Sequence, residues 1–220
     1  MRKPFETGTQ NNIYLYMRIA LLALLASFYA PLAYAGEIVV SREGSGYAIY
    51  VRMPYAEVAP LFGQAPEGFT DEQGRLAVEK LSNGTFDAAD DLIADVGFEL
   101  GGAPVAFEAM SMMVHQAATP VPFDDPIAAQ VAIAVCNVPL PEGPIDPTAL
   151  TWIGGWFAYP VASDEALRIQ FPQTGRDATE FSVVVFDDGE FEQQFDVRLK
   201  DGGALAVPDA PGWWRTLIGG

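Results

Sequence analysis

Residues 191–200 read Phe-Glu-Gln-Gln-Phe-Asp-Val-Arg-Leu-Lys. Phe191, Gln193, Phe195, Val197 and Leu199 alternate with Glu192, Gln194, Asp196, Arg198 and Lys200. A period of two puts successive side chains on opposite faces, so this is a half-buried antiparallel strand with one wet face. Just before it, Phe181 to Phe186 is an apolar run, and Asp187-Asp188-Gly189 is a turn signal. Asp201-Gly202-Gly203 supplies another turn after the strand. Leu167 to Phe171 reads as a neighbouring strand.

The same grammar extends towards the N-terminus. Glu37–Arg42 and Tyr47–Met53 flank Gly44-Ser45-Gly46 and predict a hairpin. Val96–Leu100 and Val105–Val114 flank Gly101-Gly102 and predict a second. Ile127 to Val138 reads as a long buried strand, ended by the Pro-rich loop Pro139–Pro147. Between the hairpins the pattern changes. Thr70-Asp71-Glu72 offers a helix start, Leu76, Lys80 and Leu81 lie near helical spacing, and Asn83-Gly84 is a stop. Asp87 to Ala94 reads as a second short helix. The predicted fold is mainly β, an antiparallel β-sandwich over 36–207 with a small helical insertion near 71–95. Two β units split near 139–147 are the alternative. Seventeen prolines and 21 glycines favour short strands over long helices.

Met17 to Ala35 has the pattern of a secretory signal. Arg18 is the positive flank, Ile19–Ala26 the apolar stretch, and Ala33-Tyr34-Ala35 the small-x-small cleavage pattern. Ser27 and Pro31 interrupt the run before it reaches the length of a bilayer span. Residues 1–35 are therefore expected to be a signal peptide, with Met17 an alternative start and cleavage between Ala35 and Gly36. The expected location is periplasmic or secreted.

The chain carries 29 acidic and 12 basic residues, a net charge of −17. Without the leader's Arg2, Lys3, Arg18 and Glu6, 28 acidic and 9 basic residues are left. Nucleic acid is not an expected partner, because its binding rests on Lys and Arg neutralising phosphates. The acidity suits solubility or a cationic partner. Cys136 is the only cysteine, so no internal disulfide forms. Its apolar neighbours suggest a buried thiol.

His115 is the only histidine, which leaves little room for His-based triads or zinc hydrolase sites. It closes the run Met110-Ser111-Met112-Met113-Val114-His115. Thioether and imidazole are soft ligands that suit copper(I). On a strand, Met110, Met112 and Val114 face one way and Met113 and His115 the other, so Met113 and His115 are the candidate metal ligands. Core packing of the methionines is the simpler reading. Asp87, Asp90, Asp91, Asp95 and Asp124-Asp125 form acidic clusters, and Asp71-Glu72-Gln73-Gly74 faintly resembles the start of a calcium loop. The alternating ligands of such a loop are missing, so a solvated acidic face is expected. Asp164-Glu165 and Asp187-Asp188 read as turn residues. No catalytic residue and no cofactor are assigned.

Tyr50-Val51-Arg52-Met53-Pro54-Tyr55-Ala56-Glu57-Val58, Asp71 to Leu81 and Phe98 to Val105 follow in an order that resembles the exported N-terminal ectodomain of bacterial membrane proteins in the hydrogenase/urease accessory, nickel-permease-like family. Gly212 to Gly220 is similar to the approach to that family's first membrane helix. The membrane helices and their His- and Asp-bearing metal motif are absent from this sequence, so no transport or metal residue carries over. The resemblance implies an ectodomain-like β protein working beside a separate membrane partner. Residues 208–220 form a Trp-containing tail in which Trp213, Trp214, Leu217 and Ile218 are the candidate interaction residues. The expected function is an exported, non-enzymatic accessory or binding protein. The alternatives are a periplasmic copper- or nickel-binding protein and a carboxylate-based hydrolase.

Overall fold

The computed structural model describes residues 36–63, 85–134, 146–161 and 165–208. Expectations for the leader, for 71–84, for Cys136 and for the tail residues Trp213, Trp214, Leu217 and Ile218 fall outside them. The described chain is mainly β. Its strands are β1 (Gly36–Glu43), β2 (Gly46–Pro54), β3 (Gly97–Leu100), β4 (Ala103–Pro104), β5 (Glu108–Gln116), β6 (Leu150–Ala158), β7 (Leu167–Gln170), β8 (Thr179–Asp187), β9 (Glu190–Leu199) and β10 (Ala204–Val207). The helices are α1 (Val58–Phe62), α2 (Thr85–Leu92) and α3 (Pro126–Ala134).

Six strands form a large sheet in the order β5-β6-β2-β1-β8-β9, and four form a small sheet in the order β10-β7-β3-β4. Strands from both sides of the Pro-rich loop interleave in the large sheet. Ile38, Val40, Ile49, Val183 and Val185 of the large sheet share one core with Phe98, Leu100, Leu167, Ile169, Leu205 and Val207 of the small sheet. This is the sandwich. All pairings are antiparallel except one: β1 lies parallel to β8. Val183 and Val185 of β8 face the sandwich core, and Val184 is half-buried on the other face.

The β1–β2 and β8–β9 hairpins form as expected. The latter turns on Asp188 (φ 49°) and Gly189 (φ 82°), the two positive dihedrals of a type I′ turn, for which Asp-Gly is a favoured pair. Two strand partners differ from expectation. The segment after Gly101-Gly102 pairs with β3 only through the two residues of β4, and β5 then crosses to the edge of the large sheet. β7 sits between β10 and β3 in the small sheet, not beside β8 or β9.

The largest correction is at residues 127–134 of the expected strand 127–138, whose last four residues lie outside the described ones. Instead of a strand, Pro126–Ala134 is a helix. Gln130 is the one polar residue of 127–134 and sets no periodicity that separates strand from helix, so the start signal decides. Asp125 Oδ1 accepts the Ala128 N–H at 2.8 Å, and Pro126 fills the first helical position, where its missing N–H is no loss. Four of the nine residues are alanine, the best helix former. The second helix expected at 87–94 begins earlier, at Thr85, and α1 has no counterpart among the predicted elements.

Trp152 and Trp156 fill the centre of the core and are almost wholly buried. Phe62 meets both, with ring centroids 5.6 and 5.8 Å away, and lies 6.0 Å from Phe171. Such tilted and edge contacts contribute about 0.5–1.5 kcal/mol each beyond area burial. The indole N–H groups are satisfied: Trp156 donates to the Ala89 carbonyl at 2.9 Å, and Trp152 to the Met112 thioether at 3.4 Å.

Candidate functional site

The outer face of the large sheet, turned away from the small sheet, is only partly covered. Helix α3 packs across β5, β6, β2 and β1. Its Ala129, Ala132 and Ile133 meet Val39, Tyr50 and Ile153 of the sheet. Gly155 makes the close approach possible. A Cβ there would stand 2.7 Å from Ile133 Cδ1 and 3.0 Å from the Tyr50 ring. On the same strand, a Cβ on Gly154 would collide with Trp152 and Trp156 at 2.4 and 2.8 Å. The two glycines thus admit the helix on one face and the paired indoles on the other.

His115 is part of this docking. Its Nε2 donates to the Ala132 carbonyl at 2.8 Å, one of the last carbonyls of α3. The ring is 1% exposed. Burial pushes its pKa down, the bond to Ala132 opposes that, and the charge of Arg52 lowers it further. The imidazole is neutral, with the proton on Nε2 and a bare lone pair on Nδ1, which has no partner among the described residues.

The methionine run is reordered by a β-bulge. The register shifts between Ala109 and Ser111, so Met110 leaves the Met112 side and packs in the outer cluster under α3. Met112 stays in the sandwich core. Met113 pairs with Ile153 and His115 with Thr151, so the two candidate ligands do share the outer face. No group of three or more His, Cys, Asp or Glu side chains converges among the described residues.

A second bulge corrects the reading of β9. The register slips between Val185 and Phe186, and Glu192 is the extra residue. Phe195, Val197 and Leu199 face the core as the alternation predicts. Phe191 is thrown to the outer face, where it is 62% exposed and meets Phe186 edge-on at 6.2 Å. Glu192 turns inward and takes Arg42 Nη1 at 2.8 Å. Alternation could not show this, because a bulge inverts parity without changing residue type.

Several acidic residues have backbone duties. Asp90 Oδ1 accepts the Ala109 N–H at 2.7 Å, and Asp188 Oδ1 accepts the Gly44 N–H at 3.1 Å. Asp125 caps α3. Asp201, whose carboxyl is held below its usual range mainly by the Thr174 N–H, also accepts from Gly175 at 3.0 Å.

Beside α3 the sheet face carries a groove of about 780 Å³. Loop 120–124 is one wall, and Val39, Ser182, Val184, Phe191 and Gln194 line the sheet side. Arg52 fixes the wall. It donates to the Val121 carbonyl at 2.7 Å, lies 4.8 Å over the Phe123 ring, and is ion-paired to Glu37. Gln194 donates to Ser182 Oγ at 3.1 Å. Nothing in sequence order brings Arg52, Phe123 and Phe191 together; the topology does. Among the described residues no helix is long and apolar enough to cross a membrane. Comparison with protein-family models and with curated proteins finds no match.

Proposed function

We propose that this chain is an exported, non-enzymatic binding protein that receives an extended segment of a partner polypeptide in the groove beside α3. The observation that carries the reading is Phe191: a large aromatic held in water at the groove's edge by a bulge, where an ordinary strand would have buried it. Exposed aromatics beside apolar strand faces are characteristic of binding surfaces. Arg52 offsets Glu37 in the groove and Asp124 adds one further carboxylate, so the favoured segment is apolar with a basic flank. The single histidine is spent on docking a helix, which leaves no free imidazole for a His-based triad. The proposed compartment follows from the Ala33-Tyr34-Ala35 pattern, and a membrane-protein partner is proposed through residues 208–220.

Sedimentation of a gentle detergent extract tests the reading. Wild-type chain is expected to migrate with a partner, starting at Gly36 by mass spectrometry. Phe191→Glu is expected to migrate as free chain, with a melting temperature lowered by no more than about 6 °C through the lost edge contact with Phe186. A wild-type chain that sediments alone, or starts at Met1 in the cytosol, contradicts the proposal.

A second reading, a copper- or nickel-binding protein, is supported by the shared face of Met113 and His115 and the unpartnered, buried Nδ1. Titration with copper(I) and nickel tests it. Stoichiometric binding lost in His115→Ala favours it, and no binding removes it.

A further inference from the structure

On the outer face of the large sheet a second concavity, of about 370 Å³, is lined by residues of β1, β2, β5, β6 and α3. Its lining includes Tyr50, Phe157, Tyr159, Met110, Gln130 and Glu43. It shares no lining residue with the groove assigned above to a partner segment.

The pocket is assembled by specific constraints. The Val161 N–H donates to the Ser45 carbonyl at 2.8 Å and ties the segment after β6 to the β1–β2 turn. Tyr159 thereby lies against Gly46, where an added Cβ would stand 3.3 Å from its Cδ2 and 3.1 Å from the Ala158 carbonyl. Tyr159 is 70% exposed. Ser41 Oγ donates to Glu43 Oε1 at 3.0 Å and orients that carboxylate. The bulge at Met110 brings a polarizable thioether to the same face.

Among the described lining residues Glu43 is the only one with an ionisable carboxyl or amine, and no Lys or Arg is present. Burial and the nearby Glu43 carboxylate push the Tyr50 hydroxyl up to about 12, so it stays a neutral phenol. One exposed carboxylate thus stands at the rim of a concavity lined by four aromatic residues, Tyr47 included, a thioether and an amide. Aromatic faces attract cations through their quadrupole and reject anions. Glu43 itself is exposed at the rim, so it adds a charge attraction for a cation that an uncharged ligand does not gain. We propose that this pocket binds a small organic monocation, an amine or quaternary ammonium, with Glu43 as counter-charge and Tyr50, Phe157 and Tyr159 as aromatic walls.

The probe is choline, with 3,3-dimethylbutan-1-ol as its uncharged isostere, titrated into the chain recovered from the exporting cell. Amide chemical shifts report the site. Choline is expected to bind saturably, with the largest shifts at residues 43–50 and 157–159. The isostere is expected to bind at least about five-fold more weakly. Glu43→Gln should bring choline down to the level of the isostere. Tyr159→Ala, at an exposed position, should weaken choline several-fold without changing the melting temperature. Non-saturable choline shifts, equal binding of the isostere, unchanged binding in Glu43→Gln, or shifts confined to other residues would each overturn the proposal.

Discussion

Arg42 offers the sharpest test of how the two sheets are held at one end. It is 1% exposed, and its partner Glu192 has a side chain 9% exposed. One guanidinium nitrogen meets Glu192 Oε2 at 2.8 Å, and the other donates to the Pro208 carbonyl, where the chain leaves β10. The Tyr47 ring lies 5.9 Å from the guanidinium carbon. Arg42→Met keeps much of the volume and removes the charge, so the Glu192 carboxylate stays in a largely dry site without its cation. Breaking a buried pair in this way costs about 3–5 kcal/mol. For a domain of this size that lowers the melting temperature by roughly 6–20 °C. The double variant Arg42→Met/Glu192→Met removes both desolvation costs. The Arg42 Nε has no acceptor among the described residues, so the native pair is not ideal. The double variant should therefore recover most of the loss, as apolar replacements of buried pairs do. Urea titration of both variants, with slopes compared so that only midpoints are read, is the assay. A single variant within about 1 kcal/mol of wild type would refute a buried charge pair as the brace. A double variant no more stable than the single would refute it equally.

His115→Gln should cost about 1–3 kcal/mol by unpairing the Ala132 carbonyl. In the native chain the folded-state imidazole pKa lies below the unfolded value of about 6.5. The unfolded state then binds more protons, so stability holds above that pH and falls as pH drops from it towards the folded pKa. With one histidine in the chain, His115→Gln should flatten the stability curve there; a retained slope would contradict a buried neutral ring. Gly155→Val should destabilise by about 1–3 kcal/mol and speed amide exchange across 126–134, because the new side chain occupies the site of Ile133. Asp125→Ala should cost about 1 kcal/mol through the lost cap, read by thermal melting. An unchanged melting temperature in either variant would contradict the placement of α3.

The β elements were legible wherever turn chemistry and alternation agreed. Asp188-Gly189 and Gly44 mark hairpins because few residues accept their positive φ angles. Strand partnership was not legible. β5 and β7 are recognisable as strands, yet nothing local says which sheet takes them. Residues 127–134 misled because a segment whose one polar residue is Gln130 satisfies a strand and a helix alike; Asp125-Pro126 was the available signal. The candidate site was legible least. His115 and Met113 stand out by residue type, and strand parity placed them on one face. The groove depends on Phe191, Arg52 and Phe123 meeting across the fold, and on a bulge that no alternation count contains.

The central claim is that the uncovered outer face beside α3 is where a partner sits. Site-specific photo-crosslinking in the exporting cell tests it most directly. A photoreactive residue at Gln194, inside the groove, should give one discrete adduct that disappears with Phe191→Glu. The same residue at Arg168, exposed on the small sheet, should give none. No adduct at 194, or the same adduct from 168, would contradict the account.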